Sequence, residues 1–168
     1  EKIIAQIRER IKKPGGELTA EDLSKVTALG FHNAQISDLS VLSTTPNLTL
    51  IDFNLNQISD LTPLANLKNL KSVNLNRNRI TDVTPLRNLT NLEYLNLYDN
   101  QIENLSALSG LKQLTRLDLA TNPKLTRAQI DEIQKALPNC VITHDQMTNS
   151  EKIIAQIRER IKKPGGEL

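Results

Sequence analysis

The sequence has few cysteine and aromatic residues and almost no net charge. It contains one cysteine, no tryptophan, two tyrosines and two phenylalanines. A single cysteine excludes a disulfide within the chain and fits a reducing compartment. No apolar run approaches the ~20 residues of a transmembrane helix. The net charge of +2, from 21 basic and 19 acidic residues, gives no electrostatic basis for binding nucleic acid or a membrane.

The middle of the chain repeats with a period of 22 residues. The segment LKSVNLNRNRITDVTPLRNLTN, residues 70–91, is one complete unit. Its alternating LxL stretch predicts a short strand with inward leucines. An asparagine then follows at a corner, where its amide can pair backbone groups that the turn leaves free. This predicted structural asparagine ladder consists of Asn56, Asn78, Asn100 and Asn122.

The repeat resembles the leucine-rich repeat family, in particular the 22-residue type of bacterial internalins. The resemblance implies an α/β fold, a right-handed solenoid of about five coils. A parallel sheet would form the concave face, and turns or 3₁₀ segments the convex face. We predict an N-terminal helical cap over residues 1–31, repeats over 23–125 and a C-terminal cap over 126–142. A linker over 143–150 and a second helix over 151–168 would follow.

Both predicted caps contain amphipathic helices that can cover the open ends of the core. In the first helix, which Pro14 and the following glycines should end, an apolar stripe comprises Ile3, Ile4, Ile7 and Ile11. Thr19 should begin a second short helix. At the other end, Thr126 can cap a helix that Pro138 stops, and a last apolar segment follows. This arrangement resembles the LPNC-type cap of bacterial leucine-rich repeat proteins.

The first 18 residues, EKIIAQIRERIKKPGGEL, recur without a difference at residues 151–168. The preceding Met147 is the only methionine, so the segment looks like a gene start joined to a gene end. We interpret the duplication as engineered, with a natural tandem array as the alternative. The second stripe comprises Ile153, Ile154, Ile157 and Ile161, and Thr148 with Glu151 has capping-box spacing. The second helix could replace the first on the same chain, replace it on a neighbour, or pack elsewhere.

No group of residues predicts catalysis, a cofactor or a metal. His144 and Asp145 are expected to be an exposed polar pair in the linker, and Cys140 a buried structural thiol. An acidic or amide residue follows each coil's isoleucine by two positions, which suggests backbone caps more than calcium ligands. This column comprises Asp38, Asp60, Asp82 and Asn104. We therefore expect no enzyme activity.

The period places one set of side chains on the concave face of the predicted sheet. Both tyrosines fall there, while both phenylalanines fall in core columns. Tyrosine and arginine are enriched in protein-binding hot spots, although tyrosine also suits an ordinary strand. The predicted binding surface comprises Leu50, Asp52, Leu55, Arg77, Tyr94, Tyr98, Asp99 and Arg116. Its partner would be another protein, or a second copy of the chain through the duplicated helix, in a bacterial cytoplasm because no signal peptide is visible.

Overall fold

The computed structural model describes residues 1–145 together with Ile153, Ile154, Gln156 and Ile157. Six three-residue strands form one parallel sheet in chain order. Each of the first four strands is displaced from the next by one repeat of 22 residues, as in the pairing of Ala28 with Leu50. The strands are β1 Ala28–Gly30, β2 Leu50–Asp52, β3 Ser72–Asn74, β4 Tyr94–Asn96, β5 Arg116–Asp118 and β6 Val141–Thr143.

Short 3₁₀ segments lie on the side opposite the sheet, as the Asp-Leu-x-Pro-Leu pattern predicts. They span Ser40–Thr44, Thr62–Leu64, Thr84–Asn88 and Ser106–Leu108. Helices close the two ends: α1 Lys2–Arg10, α2 Ala20–Ser24 and α3 Arg127–Ala136. The predicted parallel sheet with 3₁₀ turns and helical caps is therefore confirmed as a leucine-rich repeat solenoid.

The C-terminal end differs from the prediction in two ways. Val141 pairs with Arg116, so the last apolar segment is a sixth strand of the sheet. His144 is buried, and the backbone N–H of Thr121 donates to Oδ2 of Asp145 at 2.6 Å. The expectation of an exposed His144–Asp145 pair was therefore wrong for His144, because β6 continues the repeat and packs this residue against the preceding coil, while Asp145 is exposed as expected.

Leucine and isoleucine side chains from every coil form one continuous core. Phe53 is fully buried, whereas Phe31 is only half-buried, with ring centroids 5.5 Å apart. Phe53 thus lies in the core as predicted, and Phe31 packs against the core without being fully buried. Phe31 lies in the first coil, which has a repeat neighbour on one side only.

The corner asparagines join successive coils by hydrogen bonds. Nδ2 of Asn100 donates to the carbonyls of Leu75, Leu97 and Tyr98, at 3.0, 3.2 and 3.2 Å. Its Oδ1 accepts from the backbone N–H of Ile80 at 3.0 Å. The same pattern recurs one coil before and one coil after this residue, around Asn78 and Asn122. The ladder therefore satisfies buried backbone groups that belong to two coils at once.

The acidic column caps the 3₁₀ segments. Oδ1 of Asp38 accepts from the N–H of Ser40 at 2.7 Å, and Asp60 and Asp82 make the equivalent bonds. The N–H of Ser40 lowers the pKa of Asp38, since the bond favours the charged carboxylate. These contacts support the backbone-cap interpretation over calcium binding.

Helix α1 ends earlier than predicted. Its last residue is Arg10, and Lys12 has a left-handed φ of 55°. The N–H of Lys13 donates to the carbonyl of Arg8, and that of Lys12 to Glu9. This is a Schellman motif with lysine where glycine is usual, so the helix stops before Pro14 is reached.

Candidate functional site

The concave face carries both tyrosines, each beside an arginine of the adjacent coil. The guanidinium of Arg77 lies 5.8 Å from the centroid of Tyr98, and that of Arg116 lies 5.7 Å from Tyr94. Arg77 also lies 3.8 Å from a carboxylate oxygen of Asp99. Five of the eight predicted surface residues therefore form two contact groups on the same face, one at Tyr94 and one at Tyr98. We call them together the tyrosine–arginine patch: Arg77, Tyr94, Tyr98, Asp99 and Arg116.

An exposed apolar side chain, Leu50, lies on the same face as this patch. Leu50 is exposed, and its strand pairs with β3 so that Ser72 stands between Leu50 and Tyr94. Two strand spacings of about 4.8 Å separate Leu50 from Tyr94. Serine is much smaller than leucine or tyrosine, so the side chain between these two residues is short.

On the concave face, the side chains at the last position of strands β2 to β5 make local hydrogen bonds. Oδ1 of Asn96 accepts from the N–H of Tyr98, and Oδ1 of Asp118 from that of Ala120, at 3.0 and 3.1 Å. Asp52, which is part of the predicted surface, belongs to this column and bonds the N–H of Asn54. Burial raises the pKa of Asp118, because it disfavours the charged form. These side chains shape the turn and have less freedom to contact a partner.

The corner residue before each ladder asparagine has a left-handed backbone. The φ angles of Leu55, Arg77, Asp99 and Thr121 are 55°, 53°, 53° and 58°. This conformation is uncommon outside glycine, asparagine and aspartate, and least suited to a β-branched threonine. The period does not predict it, because the residue types in this column do not share a backbone preference.

The N-terminal cap is a second candidate site, because α1 docks there through both apolar and polar contacts. Ile3 and Ile7 are 4% and 0% exposed, while Ile4 and Ile11 are half-buried. Nε2 of Gln6 donates to the carbonyl of Gly30 at 2.8 Å, and Oε1 accepts from its N–H at 3.2 Å. The glutamine amide thus pairs the free edge of β1 as a neighbouring strand would.

Two lysines complete the attachment of α1. Nζ of Lys2 donates to the carbonyl of Ala34, the residue that replaces the ladder asparagine in the first coil. Nζ of Lys13 lies 2.6 Å from Asp22 in the capping box of α2. The Lys13 ammonium and the N–H of Thr19 hold the pKa of Asp22 well below its usual range.

Sequence reasoning missed the polar part of this cap. It identified the isoleucines and overlooked Lys2, Gln6 and Lys13. One signal was present: Gly30 stands where the following coils have aspartate or asparagine. A side chain there would meet the carbonyl of Asp52 at 3.4 Å.

The described residues of the second copy are helical and exposed. Ile153, Ile154 and Ile157 are 57%, 49% and 51% exposed, and Gln156 is also exposed. Ile161 and the predicted Thr148–Glu151 capping box lie outside the described residues. The first copy therefore fills the cap site, and the matching isoleucines of the second do not.

The remaining chemistry is sparse. In the part of the chain that the structure describes, no three His, Cys, Asp or Glu residues cluster as metal ligands. No helix of these residues has the length and apolar character to cross a bilayer. Cys140 is buried, as expected for a structural thiol.

Two family profiles match the sequence. One is described as leucine-rich repeat and covers residues 68–123. The other, leucine-rich repeats in two copies, covers residues 46–88. The 22-residue units in this region are therefore leucine-rich repeats. A comparison with curated proteins returned no match.

Solved structures extend the likeness to bacterial internalins. The internalin InlF of Listeria monocytogenes has a TM-score of 0.78 and 26% identity, over 89% of this chain and 45% of its own. A leucine-rich repeat protein of Leptospira interrogans has a TM-score of 0.67 and 30% identity, over 75% and 33%. The functional domain of InlJ from Listeria monocytogenes, described as including a cysteine ladder, scores 0.57 at 29% identity, over 67% and 24%.

The chain thus spans less than half the length of each of these proteins. With its single cysteine it has no cysteine ladder, and its coils are joined by asparagine instead. Leucine-rich repeat solenoids present extended concave surfaces for binding. This classification supports the prediction that the chain is a non-enzymatic interaction module.

Proposed function

We propose that the chain is a protein-interaction scaffold whose partner docks on the concave sheet at the tyrosine–arginine patch. The observation that carries this proposal is the pairing of both tyrosines with arginines of adjacent coils, on the face that also carries the exposed Leu50. Tyrosine side chains bind with little loss of conformational entropy, and arginine is enriched with tyrosine in binding hot spots. A partner with an apolar side chain and a carboxylate would match both the exposed Leu50 and the arginines.

The test uses Tyr94→Ala in the full chain. Immobilised wild type should retain a partner that Tyr94→Ala loses, and the measured affinity should fall by at least about 1–2 kcal/mol. Arg87→Ala is the matched control, because Arg87 is exposed on a 3₁₀ segment of the opposite side. Equal affinity of both variants for the partner would remove the patch from consideration.

A second candidate function concerns the duplicated helix. We propose that residues 1–18 and 151–168 compete for the one N-terminal cap, as alternative forms of a permuted fold, a domain swap or a head-to-tail assembly. The support is that the groups which receive α1, among them Asp22 and Gly30, lie outside the duplicated segment and occur once per chain. The identity of the copies favours an engineered duplication, with a natural tandem fragment as the alternative.

Stability measurements test this competition. Replacing a buried isoleucine by alanine costs about 2–5 kcal/mol when nothing substitutes for it. If the second copy can dock, Ile7→Ala should cost clearly less than that, and the full cost should appear only with Ile7→Ala and Ile157→Ala together. Equal free energies of unfolding for Ile7→Ala and the double variant at every protein concentration would exclude competition. A cytoplasmic location stays a prediction that suits the lone buried Cys140.

A further inference from the structure

The chain between the last coil and the second copy of the cap helix is too short to reach the cap site of the same molecule while the last coil stays intact. We infer that residues 151–168 cap a second copy of the chain, in trans. The inference rests on the proposed competition and specifies the partner: another molecule of the same protein, recognised at the edge of β1.

To dock on its own molecule, the second copy would have to be connected from β6 to the cap site. The residues just after β6 are held in place at the start of this connection. His144 is buried, and Asp145 is bonded to the N–H of Thr121 at the corner of the fifth coil. In the docked first copy, Lys2 bonds the carbonyl of Ala34 at the same corner of the first coil. A second copy seated in the same way would place Lys152 where Lys2 lies, so the path runs along one edge of the solenoid.

The distance along that edge exceeds the reach of the chain. The six strands are separated by five spacings, which amount to about 24 Å at about 4.8 Å each. A helix of 10–12 Å diameter places its axis at least about 5 Å beyond β1, for a total of about 29 Å. The seven residue steps from Asp145 to Lys152 cover about 25 Å at most, whatever their conformation.

Docking on the same molecule would therefore require pulling Asp145 and the buried His144 out of the last coil. Docking on a second molecule requires neither, because the two solenoids can approach freely. The second copy presents the same groups at the same spacing, with Ile153, Gln156 and Ile157 matching Ile3, Gln6 and Ile7. These three side chains of the second copy are exposed and therefore accessible to a second molecule.

Mass action sets when trans capping occurs. The first copy is joined directly to its site through Thr19, which gives it a high effective concentration there. A second molecule competes poorly at ordinary protein concentrations, so the wild type should be mainly monomeric. Weakening the first copy alone should shift the site to the second copy of a neighbour, and the complexes should then grow with protein concentration.

The experiment compares three full-length variants by sedimentation velocity over a hundredfold concentration range. Ile7→Asp disables the first copy, Ile157→Asp is the mirror control, and the third combines both. We expect the mass of Ile7→Asp to at least double as concentration rises, with its thermal midpoint rising in parallel. Ile157→Asp should stay monomeric with wild-type stability, and the double variant should stay monomeric with a lowered midpoint. Gln6→Ala, with Gln156→Ala as its mirror, provides a milder pair if Ile7→Asp does not fold.

Each alternative outcome has a defined meaning. If Ile7→Asp is monomeric at all concentrations and as stable as the wild type, the second copy caps its own chain. The trans inference would then fail while the competition stands. If Ile7→Asp is monomeric and only as stable as the double variant, the second copy does not dock, and both proposals fail.

Discussion

Replacing Asn100 by alanine tests the asparagine ladder most sharply. Its side chain is 3% exposed and makes four hydrogen bonds to backbone groups. Two of the carbonyls keep other partners in the variant, since Nδ2 of Asn78 also donates to Leu75 and Nδ2 of Asn122 to Leu97. The third, on Tyr98, keeps the N–H of Arg77.

The N–H of Ile80 is the group that loses its partner, because among the described hydrogen bonds it donates only to Asn100. An unsatisfied buried donor costs about 1–3 kcal/mol, and the three lost donations add about 0.5–1.5 kcal/mol each at most, partly offset by the remaining partners. We therefore expect Asn100→Ala to lower the free energy of unfolding by about 2–4 kcal/mol.

Asn91, at the end of the preceding repeat unit, is the matched control. Its Nδ2 makes one exposed bond, to the carbonyl of Lys68 at 2.8 Å. Asn91→Ala should cost less than about 1 kcal/mol. Equilibrium urea unfolding followed by circular dichroism measures both. Similar losses for the two variants, or a loss below about 1 kcal/mol for Asn100→Ala, would refute the reasoning.

Two further substitutions test the repeat corners. Burial raises the pKa of Asp118 in the folded state. Its contribution to the free energy of unfolding is therefore fully present below the unfolded-state pKa and is lost as pH rises through the folded-state pKa. Because asparagine carries no charge to bury, Asp118→Asn should stabilise the protein at neutral pH. The gain over wild type should vanish in acid, and a pH-independent gain in urea unfolding would contradict this cause. Thr121→Asn should raise stability by about 0.5–1 kcal/mol, because asparagine tolerates the left-handed backbone that strains a β-branched residue. A thermal midpoint that falls would show that Thr121 is not strained.

The repeat made most of the fold predictable. A fixed period of 22 residues places every coil in the same register, so one correct strand assignment gives the next four. The corner asparagine was predictable too, because few side chains can both donate and accept at a buried turn. These features follow from local pattern and do not depend on distant contacts.

The ends of the solenoid were less predictable, because they depend on which groups lack a neighbour. The burial of His144 follows from the pairing of β6 with β5, which the residue types alone do not reveal. The contact of Gln6 with Gly30 joins positions 24 residues apart in different elements. The tyrosine–arginine pairs were partly predictable, since the period placed the residues on one face but could not give their ring contacts.

The central claim is that the solenoid has one N-terminal cap site and that the first of two identical helices fills it. Isoleucine methyl NMR with a soluble paramagnetic agent in the wild-type chain measures this directly. The account predicts strong relaxation of the Ile153 and Ile157 methyl signals and weak relaxation of those of Ile3 and Ile7. Equal protection of both pairs at low protein concentration would mean that each helix has a site of its own, and would contradict the account.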